Sequence, residues 1–413
     1  MNHRSATSPR GIEDLNLYCG LAQIPARVLF ERRGLDSRRF GNLMMTARSV
    51  QLPWEDPVTN AVNAARPVVE VLGQDARDRI ELLVVSTESG VDHSKSVASY
   101  VHRQLELSPH CRTLEVKQAC YGATGMLQLA AAQLTGPDRK ALVIATDVNP
   151  MDEHARYAEP TTGHGAAAIL VGDPVLLALD EGAYGLYSFE TMDTARPRPD
   201  LDLYHADRSL LAYLECLSGS YRHYASRVDS ADFGRSFDHL VLHSPFGGMV
   251  KAAHRKLMRE LCRAGPAAIA EDFARRVAGS LTYVTRVGNM FSGSLYLALA
   301  GLIDSTPAAA EDGARVGFFA YGSGCASEFF SGVLRPAAAE ILAGHRISAR
   351  LDARRVLSFE QYEELVPVNR ACLVPTPRRE LDLSGVAEFA AAAEGPQLAL
   401  KSIEDYHRKY EWW

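Results

Sequence analysis

The sequence predicts an α/β protein, on three observations. Short, nearly continuous apolar runs alternate with longer stretches of helical character, as in sheets covered by helices on both faces. The chain has 413 residues, 47% hydrophobic and 23% charged, enough for one large domain or two coupled halves. No low-complexity tract or long linker interrupts the alternation.

In chain order, the runs read as strands are Glu81–Ser86, Ala141–Val148, Ala166–Gly172, His239–Ser244 and Val316–Gly324. Those read as helices are Ser94–Leu107, with Asp92 or Ser94 as the cap, Gly125–Leu134, Gly248–Ala264 and Ser292–Ile303. The Pro-containing stretch Thr194–Asp202 is expected to connect the two halves. Several strands run straight into polar residues, at Glu88, Asp147, His243 and Ser323. Ligands in open α/β sheets sit beyond the carboxyl ends of the strands, so residues far apart in sequence can converge there.

Composition excludes several classes. The formal charge is 44 − 50 = −6, which gives no electrostatic footprint for nucleic acid. The most membrane-like run, Leu295–Ile303, is far shorter than the roughly 20 residues a span requires, and the first 20 residues lack a signal-peptide core, so a cytoplasmic location is expected. Seven cysteines (Cys19, Cys111, Cys120, Cys216, Cys262, Cys325, Cys372) are scattered without a CxxC, which suggests neither a disulfide framework nor a zinc site.

Cys120 stands where an apolar stretch meets Gly122, Gly125 and an Ala/Leu-rich helix. A buried structural thiol explains that position, and so does a nucleophile whose thiolate is favoured by a helix N-terminus. Glu88, just past an apolar strand, is either a solvated loop carboxylate or a partly buried acid–base group. His243 closes a strand before Pro245 and two glycines, either as a core histidine or as the wall of a shaped loop. Asn289 and Ser323 lie in Gly/Ser-rich loops and can present hydrogen-bond donors to a carbonyl, although turn chemistry also explains the glycines. Lys251, His254, Arg255 and Lys256 follow His243 on one helix, as a solvated face or as a surface for an acidic partner.

Five stretches in this order, TESGVDHSKS, ACYGATG, HSPFGGMVK, RVGNMFSGS and YGSGCAS, resemble the 3-hydroxy-3-methylglutaryl-CoA synthase family of the thiolase superfamily. GIEDLNLYCGL, LFERRGLD, LPWEDPVTNAVNAARP and the ending SIEDYHRKYEW resemble the subgroup acting in polyketide pathways, so the resemblance spans the whole chain. It implies a thiolase fold, five-layered αβαβα, made of two similar halves, 1–175 carrying the glutamate and cysteine and 176–413 carrying the histidine. It implies Cys120 as nucleophile, Glu88 as general acid/base and His243 as the group that polarises the acceptor thioester. Asn289, Ser323, Gly322 and Asp147 fall on substrate-binding positions. The implied reaction condenses an acetyl or propionyl unit from a donor acyl carrier protein with a β-ketoacyl group on an acceptor carrier, installing a β-branch. It needs no metal or redox cofactor, because the phosphopantetheine arm belongs to the carrier. The implied assembly is a homodimer.

Two departures bear on the carrier. Where primary-metabolism enzymes have a lysine that helps hold coenzyme A, this chain has Gly248, and the tyrosine four places after the central aspartate is replaced by Met151. Both fit acidic carrier proteins better than free coenzyme A and make the helix after His243 and Arg32–Arg33 candidate docking surface. The substitution Gly248→Lys is then expected to favour acetyl-CoA. The alternatives are a primary-metabolism synthase using acetyl-CoA and acetoacetyl-CoA, a decarboxylating ketoacyl synthase, and a non-catalytic carrier-binding scaffold.

Overall fold

The structure, a computed structural model, describes residues 9–413 apart from 135, 137, 150–156 and 312; Met151 therefore lies outside the described residues. The strands that position the site are β1 (Gly11–Tyr18), β2 (Ile80–Ser86), β3 (Arg112–Val116), β4 (Lys140–Asp147), β5 (Gly165–Gly172), β6 (Leu177–Ser188), β7 (Thr194–Arg198), β8 (Leu201–Tyr204), β9 (His239–Leu242), β10 (Arg315–Gly322) and β11 (Ala326–Leu334). Nine of them form one sheet in the order β9-β10-β11-β6-β1-β5-β4-β2-β3. Pairing is parallel toward both edges, β9 with β10 and β2 with β3 and β4, and antiparallel between. The two sides meet at β1 and β6, where Gly11 pairs with Ala178 and Ile12 with Leu177.

The continuous apolar runs follow from burial on both faces. Every residue of β4 is buried, and its side chains alternate between two cores, Val143 in one and Leu142 and Ile144 in the other. The helices that matter for the site are α1 (Pro57–Glu70), α2 (Val97–Gln104), α3 (Gly122–Gln133), α4 (Ala206–Arg227), α5 (Gly247–Cys262), α6 (Pro266–Arg276) and α7 (Ser294–Ser305). α7 is apolar all round because Leu295 through Ile303 are buried on every side. No helix among the described residues is long and apolar enough to cross a membrane.

Several local expectations change. α2 is capped by Ser96, which accepts from the Ser99 N–H, while Asp92 accepts from Ser94 and Lys95 in the preceding turn. The strand at 239 ends at Leu242, and β10 ends at Gly322. Thr194–Asp202 is no plain connection but most of the hairpin β7–β8, with Leu203 paired to Ala195.

Two basic residues expected on a docking surface are structural. Arg33 donates to Glu159 at 2.6 and 2.8 Å and to Glu363 at 3.0 Å, tying together three distant segments. His254 is fully buried, with Nε2 2.7 Å from Asp272 Oδ1, and the same carboxylate takes the buried Arg276. Arg32 pairs with Glu360 at 2.7 Å and Lys256 pairs with Glu260, which leaves Lys251 and Arg255 exposed.

α5 starts against the short helix Phe40–Leu43. A Cβ on Gly248 would lie 1.8 Å from the Asn42 carbonyl oxygen, so backbone fills the place where a lysine stem would begin. This overturns the expectation that a lysine introduced at this position would favour acetyl-CoA. Gly248→Lys instead costs about 1–3 kcal/mol of stability through overpacking, read as a lower denaturation midpoint, with no gain in acetylation from acetyl-CoA.

Candidate active site

The nucleophile candidate sits in the turn between β3 and α3. Ala119 holds a left-handed φ of 44°, a conformation that disfavours a residue with a Cβ. The turn leaves Cys120 half-buried, with Sγ donating to Glu88 Oε1 at 3.5 Å. β10 braces it from the other half of the chain. A Cβ on Gly322 would come within 2.5 Å of the Gln118 carbonyl oxygen and 2.7 Å of the Tyr121 nitrogen, so this contact requires glycine.

Glu88 is placed by Asp147. Asp147 is fully buried at the end of β4, and its Oδ1 accepts from the Glu88 N–H at 2.8 Å, Ser89 Oγ at 2.9 Å and Thr87 Oγ1 at 3.1 Å. Asp147, expected to bind substrate, holds the segment that carries Glu88. Burial, reinforced by Asp147, holds the Glu88 carboxyl well above the ordinary range, and burial does the same for Asp147. Two adjacent carboxylates out of water resist carrying two charges.

The thiol follows the same logic. Burial, then the charges of Glu88 and Asp147, pushes the Cys120 thiol well above its usual value. The resting site therefore holds a neutral thiol, not the helix-stabilised thiolate considered from sequence. Glu88 is placed to take its proton.

Arg196 lies within the stretch expected to be a connection. Its guanidinium pairs with Asp202 at 2.6 Å and donates through Nη1 to Ser89 Oγ at 2.7 Å and to the Glu88 carbonyl at 3.3 Å. It lowers the pKa of both Glu88 and Asp147. Its place beside a Pro in a polar run gave no sequence signal.

The remaining candidates join at one remove. Asn289 Oδ1 accepts from the Phe291 N–H at 2.9 Å and Ser294 Oγ at 2.8 Å, which shapes its own loop. Ser292, absent from the sequence reading, accepts from the Ala123 N–H at 2.7 Å and docks that loop on the first turn of α3. The turn holding Ser323 is fixed by buried Asp193, also unforeseen, which accepts from Tyr321 OH at 2.9 Å and the Gly324 N–H at 3.0 Å. His243 leaves β9 with its N–H bonded to Phe319 O at 2.7 Å and its carbonyl accepting from Tyr213 OH at 2.7 Å. Its ring lies 6.4 Å from that of Tyr321, the residue before Gly322. Burial lowers its pKa to about 3, so the imidazole is neutral. Cys120, Glu88, Asp147 and Arg196 thus form one contact network, with His243 and Ser323 attached through the end of β10.

This arrangement places a thiol beside a proton-exchanging carboxyl, the groups that acyl transfer to sulfur and proton transfer at carbon require. Comparison with known proteins agrees. The family descriptions hydroxymethylglutaryl-coenzyme A synthase N terminal and C terminal match residues 65–175 and 259–374. The chain is 42% identical to polyketide biosynthesis 3-hydroxy-3-methylglutaryl-ACP synthase PksG of Bacillus subtilis (strain 168), across 97% of this chain and 99% of that protein. It is 33% identical to hydroxymethylglutaryl-CoA synthase of Enterococcus faecalis, across 86% and 91%. Its structure superposes on the curacin biosynthetic pathway HMG synthase in complex with holo donor-ACP with a TM-score of 0.94, at 46% identity and covering 98% and 100% of the chains. That synthase in complex with acetyl donor-ACP gives 0.93 at 45% identity, covering 98% and 100%.

Arg196 sets a test of the electrostatics. Removing its charge raises the pKa of a carboxylate that must be ionised to act as base. In Arg196→Gln the limb of the kcat profile that rises with pH therefore moves to higher pH, with Arg196→Lys in between. A limb that stays put while kcat falls would make Arg196 a brace alone.

Proposed function

The chain belongs to the hydroxymethylglutaryl-CoA synthase family, and on that premise we propose that it installs β-branches during polyketide assembly. Its fold is the thiolase fold of that family. The reaction condenses an acetyl or propionyl unit from a donor acyl carrier protein with a β-ketoacyl group on an acceptor carrier, giving a 3-hydroxy-3-carboxymethyl acyl chain when the donor is acetyl. The observation that carries the chemistry is the Cys120 thiol 3.5 Å from a buried Glu88. A carrier-bound donor is supported by the relatives that act with carrier proteins and by Gly248, where backbone occupies the lysine position.

The steps follow from the proton inventory. Cys120 Sγ attacks the thioester carbon while its proton passes to the Glu88 carboxylate, and the departing carrier thiolate takes that proton. Covalent catalysis divides one hard step in two. Backbone N–H groups near Cys120 and in the Ser323 turn would stabilise the developing oxyanion, and losing one such donor typically costs about 2.7–4 kcal/mol. Glu88, ionised again, removes a proton from the acetyl methyl. A carboxyl whose pKa lies near the working pH serves well in both directions. The resulting carbon nucleophile adds to the β-keto carbon of the acceptor. His243 is neutral, so it donates a hydrogen bond to the acceptor oxygen and does not supply the proton. Glu88, holding the methyl proton, protonates the new alkoxide. Water then hydrolyses the Cys120 thioester.

The first half of the chain, 1–175, supplies Glu88 and Cys120, and 176–413 supplies His243 and Arg196. The protein acts as a homodimer. β3 is the sheet edge beside the Cys120 turn, with Leu114 43% exposed and Leu129 of α3 61% exposed, and an uncovered apolar edge of this kind calls for a partner. Sedimentation should show a dimer, shifted toward monomer in Leu129→Glu; a wild-type monomer would remove this assignment.

Intact-protein mass spectrometry tests the function. Acetyl-loaded carrier should add an acetyl group at Cys120, and Cys120→Ala should show none. Glu88→Gln should acylate more slowly and lose condensation by about 10²–10⁴-fold. Normal condensation by Glu88→Gln would remove it as base, and equally rapid labelling from free acetyl-CoA would favour the primary-metabolism reaction.

A further inference from the structure

Glu328 is a buried carboxyl that no step of the reaction uses. It stands on β11 opposite Ala320 of β10, two residues before Gly322 meets the Cys120 turn. It is 1% exposed, and the buried Phe329 and Phe330 follow it. Its Oε2 accepts from Tyr121 OH at 2.8 Å, while its Oε1 has no hydrogen-bond partner among the described residues. Burying a carboxyl for one hydrogen bond is unfavourable, and an apolar residue would avoid that cost. Burial pushes the carboxyl up to about 7, and the Tyr121 hydroxyl opposes that shift. Tyr121 follows Cys120 directly and stands at the N-terminal end of α3. Its ring lies back along the first turn of that helix, where a Cβ on Gly125 would lie 3.0 Å from it.

We propose that Glu328 is a positioning residue, which fixes the Cys120 turn through Tyr121 and so holds the thiol against Glu88. This role rests on the reading of Cys120 as nucleophile. The turn contains Ala119 at a left-handed φ of 44°, a conformation that persists only where the surroundings over-determine it. Gly322 packs against the main chain at Gln118 and Tyr121, and Ser292 holds the Ala123 N–H. Both of these braces act on backbone. The Tyr121–Glu328 hydrogen bond adds a side-chain anchor between them, from a strand 207 residues away. Cys120 Sγ lies 3.5 Å from Glu88 Oε1, so a small shift of the turn takes the thiol out of reach of its base. Misplacing a reacting group by about 1 Å can cost about a hundredfold in rate.

The test follows acetylation of Cys120 by acetyl-loaded donor carrier in the whole enzyme, alongside thermal denaturation of each variant. Tyr121→Phe and Glu328→Met each leave one buried polar group unpaired, so each should lower the denaturation temperature. The double variant has neither group and should recover part of that loss. The acetylation rate at saturating carrier should fall by about ten- to a hundredfold in both single variants and stay low in the double, with the half-saturating carrier concentration within about twofold of wild type. Glu328→Gln keeps an acceptor for Tyr121 and should recover most of the rate lost in Glu328→Met. Acetylation that recovers together with stability in the double variant makes the pair structural only and overturns the proposal, as does an unchanged rate in Glu328→Met. Wild-type enzyme that gains no acetyl group on Cys120 overturns the nucleophile reading and the proposal together.

Discussion

The site depends on burying two carboxylates side by side. Asp147 gathers three donors from residues 87–89 onto one oxygen, and that fixes where Glu88 points. Burial then makes a second negative charge costly, so Glu88 is held ready to exchange a proton, and its nearest exchange partner is the Cys120 thiol. Without some compensation the pair would both stay protonated. Arg196 supplies it from the β7–β8 hairpin, bonded to the segment it polarises and anchored by Asp202.

The same site depends on close approach between the two halves of the sheet. β10 reaches the Cys120 turn only because residue 322 has no Cβ. One residue back, Tyr321 faces His243 on one side and donates to Asp193 on the other, so the end of this strand links the nucleophile turn, the histidine and the Ser323 turn. Ser292 closes the arrangement by satisfying a first-turn amide of α3 that would otherwise lack an intrahelical partner. The nucleophile is thus held by side chains and backbone from widely separated parts of the chain.

Outside the site, the fate of each cation is set by its neighbours. Arg33 lies between two carboxylates from distant segments, the buried Glu159 and the partly exposed Glu363. His254 turns inward to Asp272, while Arg255, one residue on, is exposed. A helix rotates about 100° per residue, so consecutive basic residues can serve fold and surface separately.

The sequence by itself determined the α/β class of this protein and singled out residues with reactive groups. Runs such as Ala141–Ala145 were legible because burial on both faces favours apolar residues; Glu88 was legible because it follows such a run, and Cys120 because it precedes an Ala/Leu-rich helix. The resemblance across the whole chain supplied the family. The tertiary structure decided protonation, partners and exposure. Cys120 is neutral because of burial and of carboxylates on other segments, Arg196 belongs to the site through contacts 107 and 108 residues distant, and Gly248 is glycine because of the carbonyl of Asn42. Hydrophobic periodicity is a local signal, carried by neighbours in sequence. Charge state and close approach depend on what folding brings together, and no local pattern encodes them.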